Sequence, residues 1–193
     1  MTGKYPARTK SPGPGSQLKS SEYTIAEALK DNGYSTFIAG KWHLSRGKSG
    51  SSPEEQGFDQ NYGGGDSGVP KSYFYPYNIQ TRGRGNENAP DITKLPEVEK
   101  GYHLTDQLTD LTLDWIDKNY VSKKSKKPFF IYLSHYEVHT PFEGKLDLEE
   151  KYKAKAERLY EGKNLKNPFS FESTTGETKL RQDNHIYLSL IHI

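Results

Sequence analysis

Three side chains that could hold an anion or move a proton follow two apolar runs of this sequence. Lys41 and His43 come directly after the run 34–39, and His139 comes shortly after the run 129–134. A lysine ammonium is a point charge, and an imidazole donates a hydrogen bond or exchanges a proton near neutral pH. These residue types predict a site for a tetrahedral oxyanion, with acid–base chemistry beside it.

Each residue alone has a simpler explanation. A lysine after a strand is usually a solvated end, and a histidine is more often hydrogen-bonded structure than a catalyst. The convergence of three such residues favours the functional interpretation. Trp42, between Lys41 and His43, is interpreted as a packing residue. The other histidines have no comparable context; they are His103, His135, His185 and His192.

A helix, a strand, a second helix and a second strand would position these residues. Thr24 and Glu27 form a capping-box pattern before the first strand, and Gly33 suits the end of that helix. The second helix, from about residue 105, has one apolar face, made by Leu108, Leu111, Trp115 and Ile116. The short apolar runs predict buried strands of a mostly parallel α/β sheet flanked by helices. Ligands of such sheets bind outside the carboxyl ends of the strands.

The remaining segments carry weaker signals. Residues 45–103 form a long, loop-rich insertion, and its aromatic cluster at 73–77 indicates that part of it packs down; a mobile polar loop is the alternative. Residues 145–160 predict a charged surface helix, and the chain beyond them predicts loop. Arg82 and Arg84 could contact an anion, although a surface loop is the simpler interpretation.

Composition narrows the function classes. The formal net charge of +2 gives no field for nucleic acid or an acidic membrane, so neither partner is predicted. No apolar run is long enough to span a bilayer, and there is no cysteine for a disulfide or thiolate metal site. His135 and His139 have helical metal-ligand spacing, but Pro141 and the preceding strand argue against a helix there. No metal site is predicted from the residues present.

Four segments resemble one family, in the expected order. GYSTFIAGKWH at 33–43 is similar to the second signature of the type I sulfatases, which belong to the alkaline-phosphatase-like superfamily. The other three segments are MTGKYPAR at the start, EQGFDQNYGG from residue 55, and PFFIYLSHYEVHTPF from residue 128. The resemblance covers about residues 1–145. It implies a partial alkaline-phosphatase-like sandwich with a mostly parallel central sheet, truncated at both ends.

The resemblance also implies a chemistry. In this family a cysteine or serine is oxidised to formylglycine, whose hydrate attacks the sulfur of a sulfate ester beside a calcium ion. Lys41 matches the residue that binds a sulfate oxygen and the formylglycine. His43 matches the residue that takes a proton from the formylglycine hydrate, and His139 matches the one that contacts the sulfate and protonates the leaving oxygen. Lys41 and His139 are thus the implied substrate-binding residues.

The family's nucleophile and its metal ligands have no counterpart in the sequence. We therefore expect a piece of a longer protein: residues 1–187 as part of an N-terminal sulfatase catalytic domain, with both formylglycine and Ca²⁺ belonging to the intact parent. This piece alone is predicted to be inactive. Residues 188–193, LSLIHI, resemble a translated transposon end and are interpreted as a non-native tail; a buried terminal strand is the alternative.

The leading function is therefore hydrolysis of sulfate esters, either aryl sulfates or sulfated glycans, by the intact parent. Two alternatives stay open: a phosphoester or phosphonate hydrolase of the same superfamily, and a non-catalytic fragment that binds sulfated glycan. Family resemblance implies a periplasmic, secreted or lysosomal location.

Overall fold

The computed structural model describes residues 1–10, 16–45, 51–80, 86–123, 125–161, 169–172, 176–179 and 184–193. These residues form two units, Met1–Pro141 and Phe142–Ile193. The first unit contains all three candidate site residues. Arg82 and Arg84 lie outside the described residues.

A three-stranded parallel sheet forms the centre of the first unit. Its strands are β1 (Ser35–Gly40), β2 (Gln60–Tyr62) and β3 (Phe129–Ser134), in the order β2-β1-β3. β1 is buried along nearly its whole length: Phe37 and Ala39 belong to one apolar cluster, and Ile38 belongs to another. The predicted parallel α/β sheet is therefore confirmed.

The helix before β1 begins at the predicted capping box. Helix α1 spans Ile25–Asp31; the Thr24 hydroxyl accepts from the Glu27 amide at 3.1 Å, and the Glu27 carboxylate accepts from the Thr24 amide at 2.7 Å. Gly33 follows the helix with a φ of +84°, which a residue with a side chain rarely adopts. These local signals begin and end the helix, so the chain enters β1 in a fixed direction.

Helix α2 spans Leu104–Ile116 and continues as a π-helical turn over Asp117–Val121. It begins at His103, whose ring accepts a hydrogen bond from the Thr105 amide at 3.3 Å, so this histidine has a capping role that the sequence did not indicate. The predicted apolar face packs on β1, where Trp115 and Phe37 have ring centroids 4.9 Å apart.

The 45–103 insertion contains little regular structure but packs closely in its described part. It contributes β2 and a short 3₁₀ helix, Glu54–Gln56. Tyr73 and Tyr77 are buried in the core, as the aromatic cluster predicted. Further along, the Asn78 side chain donates to the Ile92 carbonyl at 2.9 Å and accepts from the Ile92 amide at 2.7 Å, which holds these two residues together.

The second unit differs from its prediction after its first helix. Helix α3, Leu146–Tyr160, matches the predicted charged helix. The segment beyond it was predicted as loop, but it contains an antiparallel pair, β4 (Phe169–Glu172) and β5 (Gly176–Lys179), and helix α4 (His185–Ile191). The alternative of a terminal strand at 188–193 is wrong, because most of these residues belong to helix α4. Asn184 caps this helix by accepting from the Ile186 and Tyr187 amides. None of the helices in the described ranges is both long and apolar enough to cross a membrane.

Candidate active site

The carboxyl ends of β1 and β3 are held together at a close backbone contact. Gly40 lies opposite Ser134 in the parallel register, and a Cβ on Gly40 would lie 1.9 Å from the Ser134 carbonyl oxygen. The Lys41 amide donates to that same oxygen at 2.7 Å, and the Ser134 hydroxyl donates to the Lys41 carbonyl at 2.5 Å. The signature glycine therefore permits an approach that any side chain would block.

Lys41 is the first residue beyond this junction. Its side chain is half-buried, and its ammonium makes no hydrogen bond or ion pair with another described residue. Burial lowers the pKa of the Lys41 ammonium from its ordinary value, because desolvation disfavours the charged form. A partly desolvated and unpaired ammonium gains most when an anion binds to it.

The two residues after Lys41, Trp42 and His43, have different surroundings. Trp42 is buried, its indole donates to the Ser51 carbonyl at 2.8 Å, and its ring meets Phe58 edge-on, so it is a packing residue as predicted. His43 has a φ of +55°, uncommon for a residue with a side chain, and its amide donates to the Gly65 carbonyl at 3.0 Å. These contacts keep the backbone of His43 at the edge of the sheet.

The His43 side chain lines a cleft of about 490 Å³ at this edge. Three polar residues of the insertion also line it, and no pattern in the sequence indicated them; these are Asp66, Asn86 and Asn88. Such groups make hydrogen bonds to hydroxyl groups. Lys41 and His139 are not among the residues that line this cleft.

His139 lies in the turn that follows β3. Its amide donates to the Tyr136 carbonyl at 3.1 Å, and its own carbonyl accepts from the buried Tyr73 hydroxyl at 3.0 Å. The imidazole is exposed, with Nδ1 at 3.1 Å from both the carbonyl and the hydroxyl oxygen of Thr140. The turn is thus held to the core while the ring faces solvent.

Sequence reasoning missed two polar groups in the same turn. The Glu137 carboxyl accepts a hydrogen bond from Thr105 through one oxygen, while its other oxygen and His135 Nδ1 are buried without a partner among the described residues. Burial raises the pKa of the Glu137 carboxyl.

The structure thus brings the backbones of Lys41 and His43 to the edge where β3 also ends, with His139 a few residues further along. In the described ranges, the side chains of Lys41 and His139 make no hydrogen bond to each other or to His43. The prediction that their strands end at a common edge is confirmed. The catalytic and substrate-binding roles stay predictions.

The described residues do not form a calcium site, and the sequence offers no precursor of formylglycine. The described residues include no group of three or more histidines, aspartates or glutamates that could hold a metal ion. The sequence has no cysteine and no Ser-x-Pro-x-Arg segment that could supply a formylglycine. No chemical step is therefore assigned to calcium or to formylglycine.

The chain belongs to the Sulfatase family, whose model matches residues 1–187. It is 30% identical to an arylsulfatase of Hemicentrotus pulcherrimus over 72% of this chain and 27% of that protein. It is 29% identical to the N-acetylgalactosamine-6-sulfatase of Mus musculus over 64% of this chain and 24% of that protein. The chain thus spans about a quarter of the length of these relatives.

Solved structures confirm the fold of the family. The crystal structure of Ps i-CgsB in complex with k-i-k-neocarrahexaose matches all of this chain and 39% of its own, with a TM-score of 0.60 and 24% identity. The structure of BT4656 in complex with its substrate, D-glucosamine-2-N,6-O-disulfate, matches 87% of this chain and 28% of its own, with a TM-score of 0.51 and 20% identity.

Proposed function

We propose that this chain supplies the cationic edge of a sulfatase active site within a longer protein that hydrolyses sulfate esters. The observation that carries the proposal is that Lys41 follows the joined ends of two parallel strands and has a half-buried ammonium that pairs with no other described residue. A sulfate oxygen bound there would be stabilised more as negative charge grows on it during the reaction.

The two histidines would divide the proton transfers. His43, in the wall of the cleft, would accept a proton from a group presented there, while His139, exposed beyond β3, would donate a proton to the leaving oxygen. Their opposite roles are compatible with their different surroundings, since one ring packs into a cleft wall and the other lies in water.

Sulfated glycans are the proposed substrate class, with aryl sulfates as laboratory substrates. Asp66, Asn86 and Asn88 in the cleft suit sugar hydroxyl groups. The support from relatives is that one is named for N-acetylgalactosamine 6-sulfate and that two structures of this fold contain a carrahexaose and a glucosamine disulfate. The resemblance to sulfatases also leads us to propose a periplasmic, secreted or lysosomal location. Cell fractionation would test this proposal.

The principal experiment uses the protein encoded by the gene that contains this chain. Lys41→Ala is expected to lower kcat/KM for an aryl sulfate by about 100-fold to 1,000-fold, as loss of one charge-stabilising donor does. The matched control is Lys118→Ala, because Lys118 is exposed and forms an ion pair with Asp114, one helical turn before it. Equal activity of the Lys41 variant and the control would overturn the proposal. So would a strong preference for the matching aryl phosphate, which would favour a phosphoester hydrolase.

Isolated residues 1–193 are proposed to lack sulfatase activity, because the sequence has no precursor of formylglycine and the described residues include no group that could hold a metal ion. The purified chain should release no product from an aryl sulfate above the rate of the Lys41→Ala chain. Turnover that depends on Lys41 in the purified chain would contradict this. Retention of the chain on a sulfated glycan column without turnover would favour the binding-only alternative.

A further inference from the structure

The imidazole of His43 lies directly against the backbone of Gly68. A Cβ built on Gly68 would lie 2.4 Å from Cε1, 2.6 Å from Nδ1 and 2.8 Å from Nε2 of that ring. All three distances are too short for real carbon contacts, and they involve three consecutive atoms of the ring. The ring therefore occupies the space that any side chain at residue 68 would need.

The backbone of Gly68 does not itself require glycine. Its φ lies outside the left-handed region, unlike that of Gly63 in the same loop, which is +81°. An alanine at residue 68 would not need a left-handed φ, so the obstacle that the structure shows to a side chain there is the His43 ring.

Hydrogen bonds before Gly68 and next to it hold the loop that carries this residue. The Tyr136 hydroxyl donates to the Gly63 carbonyl at 2.8 Å, and the Asn61 side chain donates to the Gly64 carbonyl at 2.8 Å. Closer to Gly68, the buried Ser67 hydroxyl donates to the Val69 carbonyl at 2.5 Å. With both the loop and the His43 backbone fixed, the surface at Gly68 sets the plane of the ring.

We propose that Gly68 is a positioning residue for His43. Because residue 68 has no side chain, the imidazole packs directly on its backbone, and this contact fixes the orientation of the ring in the cleft. The proposal rests on the proposed function for its catalytic consequence, since a proton acceptor works only when its nitrogen is aligned with the proton it removes. Its structural content, that residue 68 acts through His43, can be tested without any assay of catalysis.

The test is a double-mutant cycle on the protein encoded by the gene that contains this chain. Gly68→Ala should lower Tm by about 5 °C, because the ring and the new methyl group compete for one space. The same substitution in a His43→Ala background should lower Tm by less than about 2 °C, because the ring is gone. An equal loss in both backgrounds, or no loss in either, would overturn the proposal.

A matched control comes from the same loop. At Gly65 a Cβ would meet only the Thr93 hydroxyl oxygen, at an ordinary 3.7 Å, so Gly65→Ala should change Tm by no more than about 1 °C. If Gly68→Ala alone fails to fold, folding of the Gly68→Ala/His43→Ala protein supports the proposal. Failure of both proteins to fold contradicts it.

Kinetics supply the second readout. Gly68→Ala should lower kcat for an aryl sulfate by about 10-fold to 100-fold with KM changed less than about threefold, as misalignment of a proton acceptor does. In the His43→Ala background it should cause no further loss of kcat, and a further loss there would count against action through His43. Full activity of His43→Ala by itself would contradict the proposed function of His43. The double-mutant cycle on Tm would still decide whether Gly68 orients the ring.

Discussion

β1 and β3 have the same length and run parallel in register, yet they have different surroundings. β1 pairs on both edges and is buried from Thr36 to Gly40. β3 pairs only with β1 in the described sheet, and Phe129 and Leu133 remain 41% and 37% exposed. The apolar run predicted a buried strand, whereas in the described sheet β3 pairs on one edge and is only partly buried.

This difference shows that an apolar run predicts that a strand forms, but not where in the sheet the strand lies. Both runs form strands because β-branched and aromatic side chains suit an extended backbone. The neighbours that bury a strand come from elsewhere in the chain: β1 receives α2 on one face and the Trp42–Phe58 cluster on the other.

The largest expected effect comes from core truncation in β1. Phe37→Ala should lower the free energy of unfolding by about 4 kcal/mol, because it removes a fully buried ring that packs on Trp115 and Tyr62. Leu133→Ala on β3 should cost about 1 kcal/mol, since its side chain is partly exposed. Urea denaturation measures both, and equal costs would contradict the contrast between the strands.

The next effect concerns the contact that joins the two strand ends. Gly40→Ala should cost about 3 kcal/mol, because its Cβ would overlap the Ser134 carbonyl and its φ is +101°. Gly33→Ala is the matched control: its φ is +84° but a Cβ there meets nothing within 4 Å, so only about 1 kcal/mol should be lost. A cost for Gly40→Ala no larger than that of the control would show that the strand ends separate without penalty.

The smallest effect tests the buried carboxyl beyond β3. Because burial raises the pKa of Glu137 in the folded protein, the unfolded chain loses this proton first as pH rises, and the group then favours unfolding. Glu137→Gln should therefore raise Tm at pH 7 relative to the unmodified protein, and the gain should shrink as pH falls below the ordinary pKa of glutamate. Thermal denaturation at several pH values measures this, and a gain independent of pH would contradict it.

Sequence reasoning succeeded where the cause is local. The capping box of Thr24 and Glu27, the turn at Gly33 and the packing role of Trp42 all depend on nearby residues, and all are present in the structure. The common edge of Lys41 and His139 followed from the parallel pairing that the two runs predicted.

Reasoning failed where the cause is distant. Gly68 is 25 positions from His43, and nothing in the sequence indicates that their atoms touch. The Tyr73 hydroxyl reaches His139 across 66 positions. The hairpin of β4 and β5 was missed because its strands are too short to show a repeating apolar pattern.

The paired hydrogen bonds between Asn78 and Ile92 bear on how the sequence between these residues can change during evolution. They hold residue 78 against residue 92, so a change in the length of the chain between these two residues does not require a change in the buried tyrosines or the strand ends. Doubling the length of a flexible loop costs only about 0.6 kcal/mol in closure entropy. Asn86 and Asn88 belong to this segment and line the cleft. Related proteins could therefore differ in the residues that contact a substrate here while they keep the same core.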